Sequence, residues 1–190
     1  MYKRQLPYSI AIPKIESADE CRTFLKDLGT NILILPQIET PRGIATIESW
    51  DCSNIEFSGI GFGSADYCAS TGGDMGKASL AYGRGKIINA AALYNTLALD
   101  GVWLDFRDPE GCKEETLYVK TMGFKGRFAI HPDQIKPIHD AYRPTAEELE
   151  WAKGVLEEAK TAGSGAFKYQ GKMVDAPVLA VARLIISRED

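Results

Sequence analysis

The sequence predicts an α/β protein built on parallel strands. Short β-rich runs alternate with helical stretches, the order that parallel βαβ units produce. Residues 31–38 (NILILPQI) form a continuous apolar run, as expected for a strand buried on both faces. Several helical stretches also open on capping residues and stop at glycine.

Residues 8–13 (YSIAIP) read as the first strand. Ser17 and Glu20 then stand at capping-box spacing, opening a helix that runs to about Leu28 and stops at Gly29. Residues 31–38 are the second strand, followed by a short helical stretch over 43–49. Residues 55–63 (IEFSGIGFG) are the third strand, and a Gly-rich segment leads into a helix over about 83–97. Residues 101–106 (GVWLDF) read as the fourth strand, 109–122 as a helix closed by Gly123, and 127–130 (RFAI) as the fifth strand, ending in His131-Pro132. Thr145 and Glu148 form a second capping box, opening a helix that stops at Gly163. Residues 163–175 read as a flexible Gly-rich polar loop, and Pro177 as the first residue of a last helix reaching about Ser187.

Five strands fall short of a (β/α)₈ barrel, which takes eight units and about 250 residues. A five-stranded doubly wound sheet fits the 190 residues. The first βα turn, residues 13–17 (PKIES), carries neither G-x-G-x-x-G nor G-x-x-x-x-G-K-[ST], which argues against nucleotide binding.

Apolar residues make up 45% of the chain and charged residues 25%, enough for a packed core, which excludes disorder and low-complexity classes. Lys and Arg number 22 against 26 Asp and Glu, a net charge of -4, so no nucleic-acid partner is expected. No apolar run approaches the roughly 18 residues of a membrane helix, so no membrane partner is expected. Cys21, Cys52, Cys68 and Cys112 form no C-x-x-C pair and read as reduced thiols of a cytoplasmic protein. Residues 1–13 lack the apolar stretch of a signal peptide.

Glu39 follows the second strand and Asp66 the third, 27 residues apart, about one βα unit. In a parallel sheet both carboxylates emerge on one rim, where barrel enzymes keep their active sites. Two carboxylates completed by water and substrate oxygens suit Mg²⁺; each could equally cap a helix or pair with a lysine. Lys14 ends the first strand, either at the rim of this site or as a solvated end charge. His131 ends the fifth strand, as a rim residue or a structural histidine. Asp175, before Ala176-Pro177, is by itself an N-cap. No G-x-S-x-G and no H-x-x-x-H occurs, so hydrolase-triad and zincin readings lose support.

Taken together, PKIES (13–17), IETPRG (38–43), FGSAD (62–66), IHPDQI (130–135), Pro144-Thr145 and GKMVDAP (171–177) occur in one family's order and spacing. The chain resembles the citrate lyase beta subunit-like (CoA-ester lyase) branch of the HpcH/HpaI aldolase superfamily, from about residue 10 to 184. The resemblance implies a TIM (β/α)₈ barrel of the phosphoenolpyruvate/pyruvate type. The five strands would be its fourth to eighth, N-terminally truncated and followed by a helical tail. Residues 1–140 would be the partial barrel. Residues 141–190 would be a helix–loop–helix extension that completes a neighbouring subunit's site in a homo-oligomer, trimer or hexamer.

The resemblance also implies site roles. Glu39 and Asp66 would hold Mg²⁺, and Ser64 and Ala65 would bind the 2-oxo acid through backbone N–H groups, with His131 also placed in substrate binding. Asp175 would be the catalytic acid/base. Family members often carry an acidic residue where Ala65 stands. The implied reaction is Mg²⁺-dependent cleavage or formation of a 3-hydroxyacyl-CoA thioester, such as citryl-, malyl- or citramalyl-CoA, to acetyl-CoA and a 2-oxo acid. The alternatives are a CoA-independent aldolase or a non-catalytic chain. The family's enolate-steadying arginine lies in the units expected before Met1, so these 190 residues alone are expected to be inactive.

Overall fold

The structure, a computed structural model, describes residues 7–29, 32–163 and 165–189. Residues 1–6 of the N-terminal stretch, Asn31 of the expected second strand and Ser164 of the expected loop lie outside them. The chain divides into two units, Met1–Tyr142 and Arg143–Asp190.

The first unit runs β1 (Ser9–Ile12), α1 (Ala18–Leu28), β2 (Leu33–Ile38), α2 (Pro41–Thr46), β3 (Ile60–Phe62), α3 (Ser64–Thr71), α4 (Lys77–Leu93), β4 (Ala98–Asp100), α5 (Pro109–Met122), β5 (Gly126–Arg127) and α6 (Ile135–Tyr142). The strands form one sheet in the order β1-β2-β3-β4-β5, every neighbouring pair parallel. A doubly wound sheet reverses its strand order at a switch point. This one never does, so its units follow one another as in an arc of a barrel. Ile38 stands opposite Phe62 in the register, which levels the C-terminal ends of β2 and β3 and sets Glu39 beside Gly63.

Helix ends follow local chemistry. Ser17 caps α1 by accepting from the Glu20 N–H, and α1 closes on Gly29 at φ 67°. Asp108 caps α5 by accepting from the Gly111 N–H. The core lies between the helices and the sheet face bearing Ile34, Ile38, Ile60 and Phe62, with Ile44, Ile47, Leu80 and Ile87 opposite.

The structure corrects several expected elements. β2 is not buried on both faces: Ile34, Pro36 and Ile38 are buried, but Leu33, Leu35 and Gln37 are only half-buried. The third strand shrinks to Ile60–Phe62, with Phe57 making a lone bridge to Ile34. The fourth strand is Ala98–Asp100, upstream of the expected 101–106, because Asp100 is locked between two arginines and the chain then leaves the sheet. Leu104 and Phe106, apolar enough to read as strand, are exposed. The fifth strand is only Gly126–Arg127.

α4 begins at Lys77, and Gly83 lies inside it instead of opening it. A Cβ on Gly83 would stand 2.7 Å from the Phe62 ring, so the glycine serves close helix–sheet packing, not a helix start. α3 and α6 are not expected as helices; both are short, eight residues each, α3 starting directly after Gly63 and α6 directly after the turn Pro132–Gln134.

The second unit holds α7 (Ala146–Ala162), a hairpin of β6 (Phe167–Tyr169) and β7 (Lys172–Val174), and α8 (Ala176–Ile186). Both halves of the α7 capping box form: Thr145 accepts from the Glu148 N–H and Glu148 accepts from the Thr145 N–H. The expected flexible loop contains the hairpin, which turns at Gln170 and Gly171, φ 47° and 80°, the conformation of a two-residue primed turn. Pro177 is the second helical residue of α8, not the first, because Asp175 is the cap. Ala152, Val155, Val174 and Ala182 form this unit's own small core.

All four cysteines are free. Burial pushes the Cys21 thiol up to about 12, which keeps it protonated and inert. Among the described residues no helix is long and apolar enough to cross a membrane.

Candidate active site

The C-terminal ends of β2, β3, β4 and β5 open into one cleft. Gln37, Glu39, Phe62, Gly63, Ser64, Ala65, Asp66, Gly101, Val102, Phe128, Ala129 and Ile130 line it. The level ends of β2 and β3 bring the two carboxylates predicted to act together, Glu39 and Asp66, into this cleft.

Glu39 is only 6% exposed, an unusual position for a carboxylate. Burial raises its pKa, the Asp66 charge raises it further, and the Lys14 charge only partly offsets this. The fit is tight. A Cβ on Gly63 would stand 2.1 Å from Glu39 Cγ, so only glycine lets the chain pass behind this side chain. Gly63→Ala is expected to cost about 1–3 kcal/mol, the range for inserting a methyl into a filled space. A melt unchanged from the parent would refute that packing argument.

Asp66 is the third residue of α3, whose N-cap Gly63 supplies no side-chain acceptor. The first N–H groups of α3 therefore meet the cleft uncapped, a setting that suits a carboxylate. Ser64 and Ala65 stand in that first turn, and the Ser64 hydroxyl is buried with no hydrogen-bond partner. Opposite lies an apolar wall of Val102, Phe128, Ala129 and Ile130.

Lys14 is one of the residues whose role the sequence left open. Its ammonium lies 2.8 Å from Asp66 Oδ1, and the hydrogen bond and charge of Asp66 hold its pKa above the usual lysine value. Its backbone is left-handed, φ 56°, rare for a residue with a side chain. The cleft is thus a pair of carboxylates with a cation already drawn to it. Among the described residues no group of three or more His, Cys, Asp or Glu is placed to hold a metal. A divalent cation here would take two ligands from the protein and the rest from water or substrate oxygens, the usual arrangement for Mg²⁺.

His131 is not among the lining residues. It caps the turn Pro132–Gln134 by accepting from the Asp133 N–H at Nδ1, and its ring stacks on Phe106 at 4.7 Å. Asp175 lies in the second unit, where it caps α8 by accepting from the Val178 N–H at 3.4 Å. Asp175→Asn keeps an acceptor and is expected to leave stability nearly unchanged. Asp175→Ala should cost about 1 kcal/mol, the usual value of a lost N-cap. Equal melts for the two variants would show that the cap contributes nothing.

Sequence reasoning missed what holds the two carboxylates: Gly63 behind Glu39, and the β1–α1 loop beside both. The clue available was the run PKIES itself, a lysine and a glutamate at a strand end.

The sequence matches the HpcH/HpaI aldolase/citrate lyase family over residues 2–132, and a C-C bond lyase family of the TIM-barrel fold over 85–189. It is 29% identical over 206 residues to mouse (Mus musculus) mitochondrial citramalyl-CoA lyase, covering 97% of this chain and 61% of that one. It is 34% identical to a citrate lyase subunit beta-like protein of Mycobacterium tuberculosis, covering 95% of this chain and 66% of that one. The chain thus spans about 61% of the length of the mouse enzyme. The crystal structure of CitE from M. tuberculosis with magnesium, acetoacetate and coenzyme A superposes with a TM-score of 0.79 at 32% identity, covering 96% of this chain and 68% of that one.

Proposed function

Because the chain belongs to the HpcH/HpaI aldolase/citrate lyase family, we propose that its cleft serves a Mg²⁺-dependent carbon–carbon lyase acting on a 3-hydroxyacyl-CoA thioester. The observation that carries this reading is the buried Glu39 beside Asp66 at level strand ends, with Lys14 drawn to the pair. The resident ammonium and the raised Glu39 pKa both express a local excess of negative charge that a divalent cation would relieve. Relatives described with magnesium and coenzyme A, or named as citramalyl-CoA lyase, support the same class.

Bound at Glu39 and Asp66, Mg²⁺ would act as a Lewis acid and template for the 2-oxo acid oxygens. The first N–H groups of α3, at Ser64 and Ala65, would receive the acid's carboxylate, and the wall of Val102, Phe128 and Ala129 would exclude water. Asp175 would serve as acid/base, taking the proton from the acetyl-CoA methyl in the condensation direction, and would reach a neighbouring copy's cleft in a homo-oligomer. His131, capping its turn, would act on the acid only through the rim it shapes.

The test is calorimetric titration of the 190-residue chain with Mg²⁺ or Mn²⁺, then with pyruvate, glyoxylate or oxaloacetate, with and without the metal. Metal-dependent binding of a 2-oxo acid is expected; binding indifferent to metal would reject the reading. A CoA titration separates a CoA-ester lyase, which should bind CoA, from a simple aldolase, which should not. We propose that the chain by itself binds without completing turnover, because an enolate needs a nearby cation and none of the described residues lining the cleft is a lysine or arginine. Cleavage of citramalyl-, malyl- or citryl-CoA by this chain would overturn that last point. Asp175→Asn, which keeps the cap, would then have to abolish the cleavage if Asp175 is the acid/base.

A further inference from the structure

The loop between β1 and α1 touches the surroundings of both carboxylates. Lys14 pairs with Asp66, and two residues on, Glu16 turns to the other side. Glu16 Oε1 accepts a hydrogen bond from the Thr40 hydroxyl at 2.6 Å. Thr40 directly follows Glu39, and the same hydroxyl accepts from the Gly43 N–H at 3.1 Å as the N-cap of α2. Its hydrogen-bonding capacity is therefore used in both directions: it receives from the helix and gives to Glu16.

Three more contacts fix Glu16 itself. Its N–H donates to Glu20 Oε2 at 2.9 Å, its carbonyl accepts from the Thr46 hydroxyl at 2.8 Å, and its Oε2 lies 3.7 Å from Arg42 Nε. The neighbouring Ile15 N–H donates to the Gln37 carbonyl at 3.2 Å, so the loop is also pinned to β2 just before Glu39. A Cβ on Gly43 would come within 2.9 Å of the Ile15 carbonyl, so the first turn of α2 lies directly on this loop.

We propose that Glu16 is a positioning residue for Glu39, acting through Thr40. Thr40 is the joint at which the chain passes from β2 into α2, extended at φ -120° and ψ 153°. The direction in which Glu39 leaves the strand depends on how that joint is held. The α2 cap bond alone holds the joint to its own helix; the Glu16 bond ties it to a different segment, 24 residues away in sequence. Groups hydrogen-bonded directly to a metal ligand commonly set metal affinity by about 10–100-fold; Glu16 acts one residue further back, through Thr40, so an effect at the low end of that range is expected. The inference rests on the proposal that Glu39 and Asp66 hold the divalent cation.

The experiment is Mn²⁺ affinity by electron paramagnetic resonance titration, alongside metal-free melts, for the parent chain, Glu16→Ala, Glu16→Gln, Thr40→Ala, Thr40→Ser and Glu39→Gln. Glu16→Ala is expected to weaken Mn²⁺ binding about tenfold. Glu16→Gln keeps an oxygen that can accept from Thr40 and is expected to stay within about twofold of the parent. Thr40→Ala should repeat the loss and Thr40→Ser restore affinity, which keeps the proposal testable if Glu16→Ala does not fold. A purely structural Glu16 would lower the melt and leave affinity unchanged, which overturns the proposal. Glu16→Gln as weak as Glu16→Ala would also overturn it, because the bond to Thr40 would not be what matters. If the parent does not bind Mn²⁺, or Glu39→Gln binds as well as the parent, the metal reading fails first and this inference falls with it.

Discussion

Asp100→Ala is expected to destabilise the protein by about 3–5 kcal/mol, the cost of removing one partner from a buried ion pair. Asp100 is fully buried at the end of β4. It accepts from Arg84 Nε at 3.1 Å and Nη2 at 3.0 Å, and from Arg127 Nη2 at 3.2 Å. Glu115 adds a contact to Arg84 Nη2 at 2.7 Å. Burial works against the Arg84 charge, but its bonds to Asp100 and Glu115 outweigh that and hold its pKa above the usual arginine value. Without Asp100, Glu115 is left to balance Arg84, and Arg127 loses its carboxylate. For a chain of this size the loss amounts to a melting temperature roughly 6–20 °C lower. A drop under about 3 °C would show that the network contributes little to folding. Because Arg127 also donates to the Gly101 carbonyl at 3.1 Å, and Gly101 lines the cleft, the variant should weaken 2-oxo acid binding as well.

Glu39→Gln and Asp66→Asn are each expected to reduce divalent-metal affinity by more than the roughly 10–100-fold that loss of an outer partner costs. The two should differ in stability. Glu39 is buried and faces a second carboxylate, so its charge is unfavourable in the metal-free fold. Glu39→Gln is therefore expected to match or exceed the parent in a metal-free melt while binding metal poorly. Asp66→Asn removes a surface ion pair with Lys14, in which both side chains are more than half exposed, and should be nearly neutral. A metal-free chain clearly destabilised by Glu39→Gln would contradict the claim that this carboxylate is held at a cost in stability. Unchanged affinity in either variant would remove that residue from the proposed metal site.

The candidate site was legible in outline. A carboxylate directly after an apolar run, repeated one βα unit later, is a local pattern, and parallel pairing converts it into a shared rim. The helix ends were legible for the same reason: Ser17, Gly29 and Thr145 act within three or four residues of themselves. The elements that were misread depend on distant partners. Gly83 looks like a helix start until Phe62 is seen packed against it. The run 101–106 has strand composition, but the buried pairing of Asp100 ends the strand before it.

Legible in the residues alone were an α/β unit with five parallel strands, the bounds of α1, α5, α7 and α8 to within about a residue, and the two carboxylates that follow neighbouring strands. These properties follow from turn chemistry, capping and hydrophobic periodicity, all of which act over a few residues. The unbroken strand order, the turn of the Lys14 charge to Asp66 and the hold of Glu16 on Thr40 beside Glu39 emerge only in the folded chain. Those outcomes depend on contacts between segments 24 or more residues apart, which side-chain burial and hydrogen bonding select only after the sheet has formed.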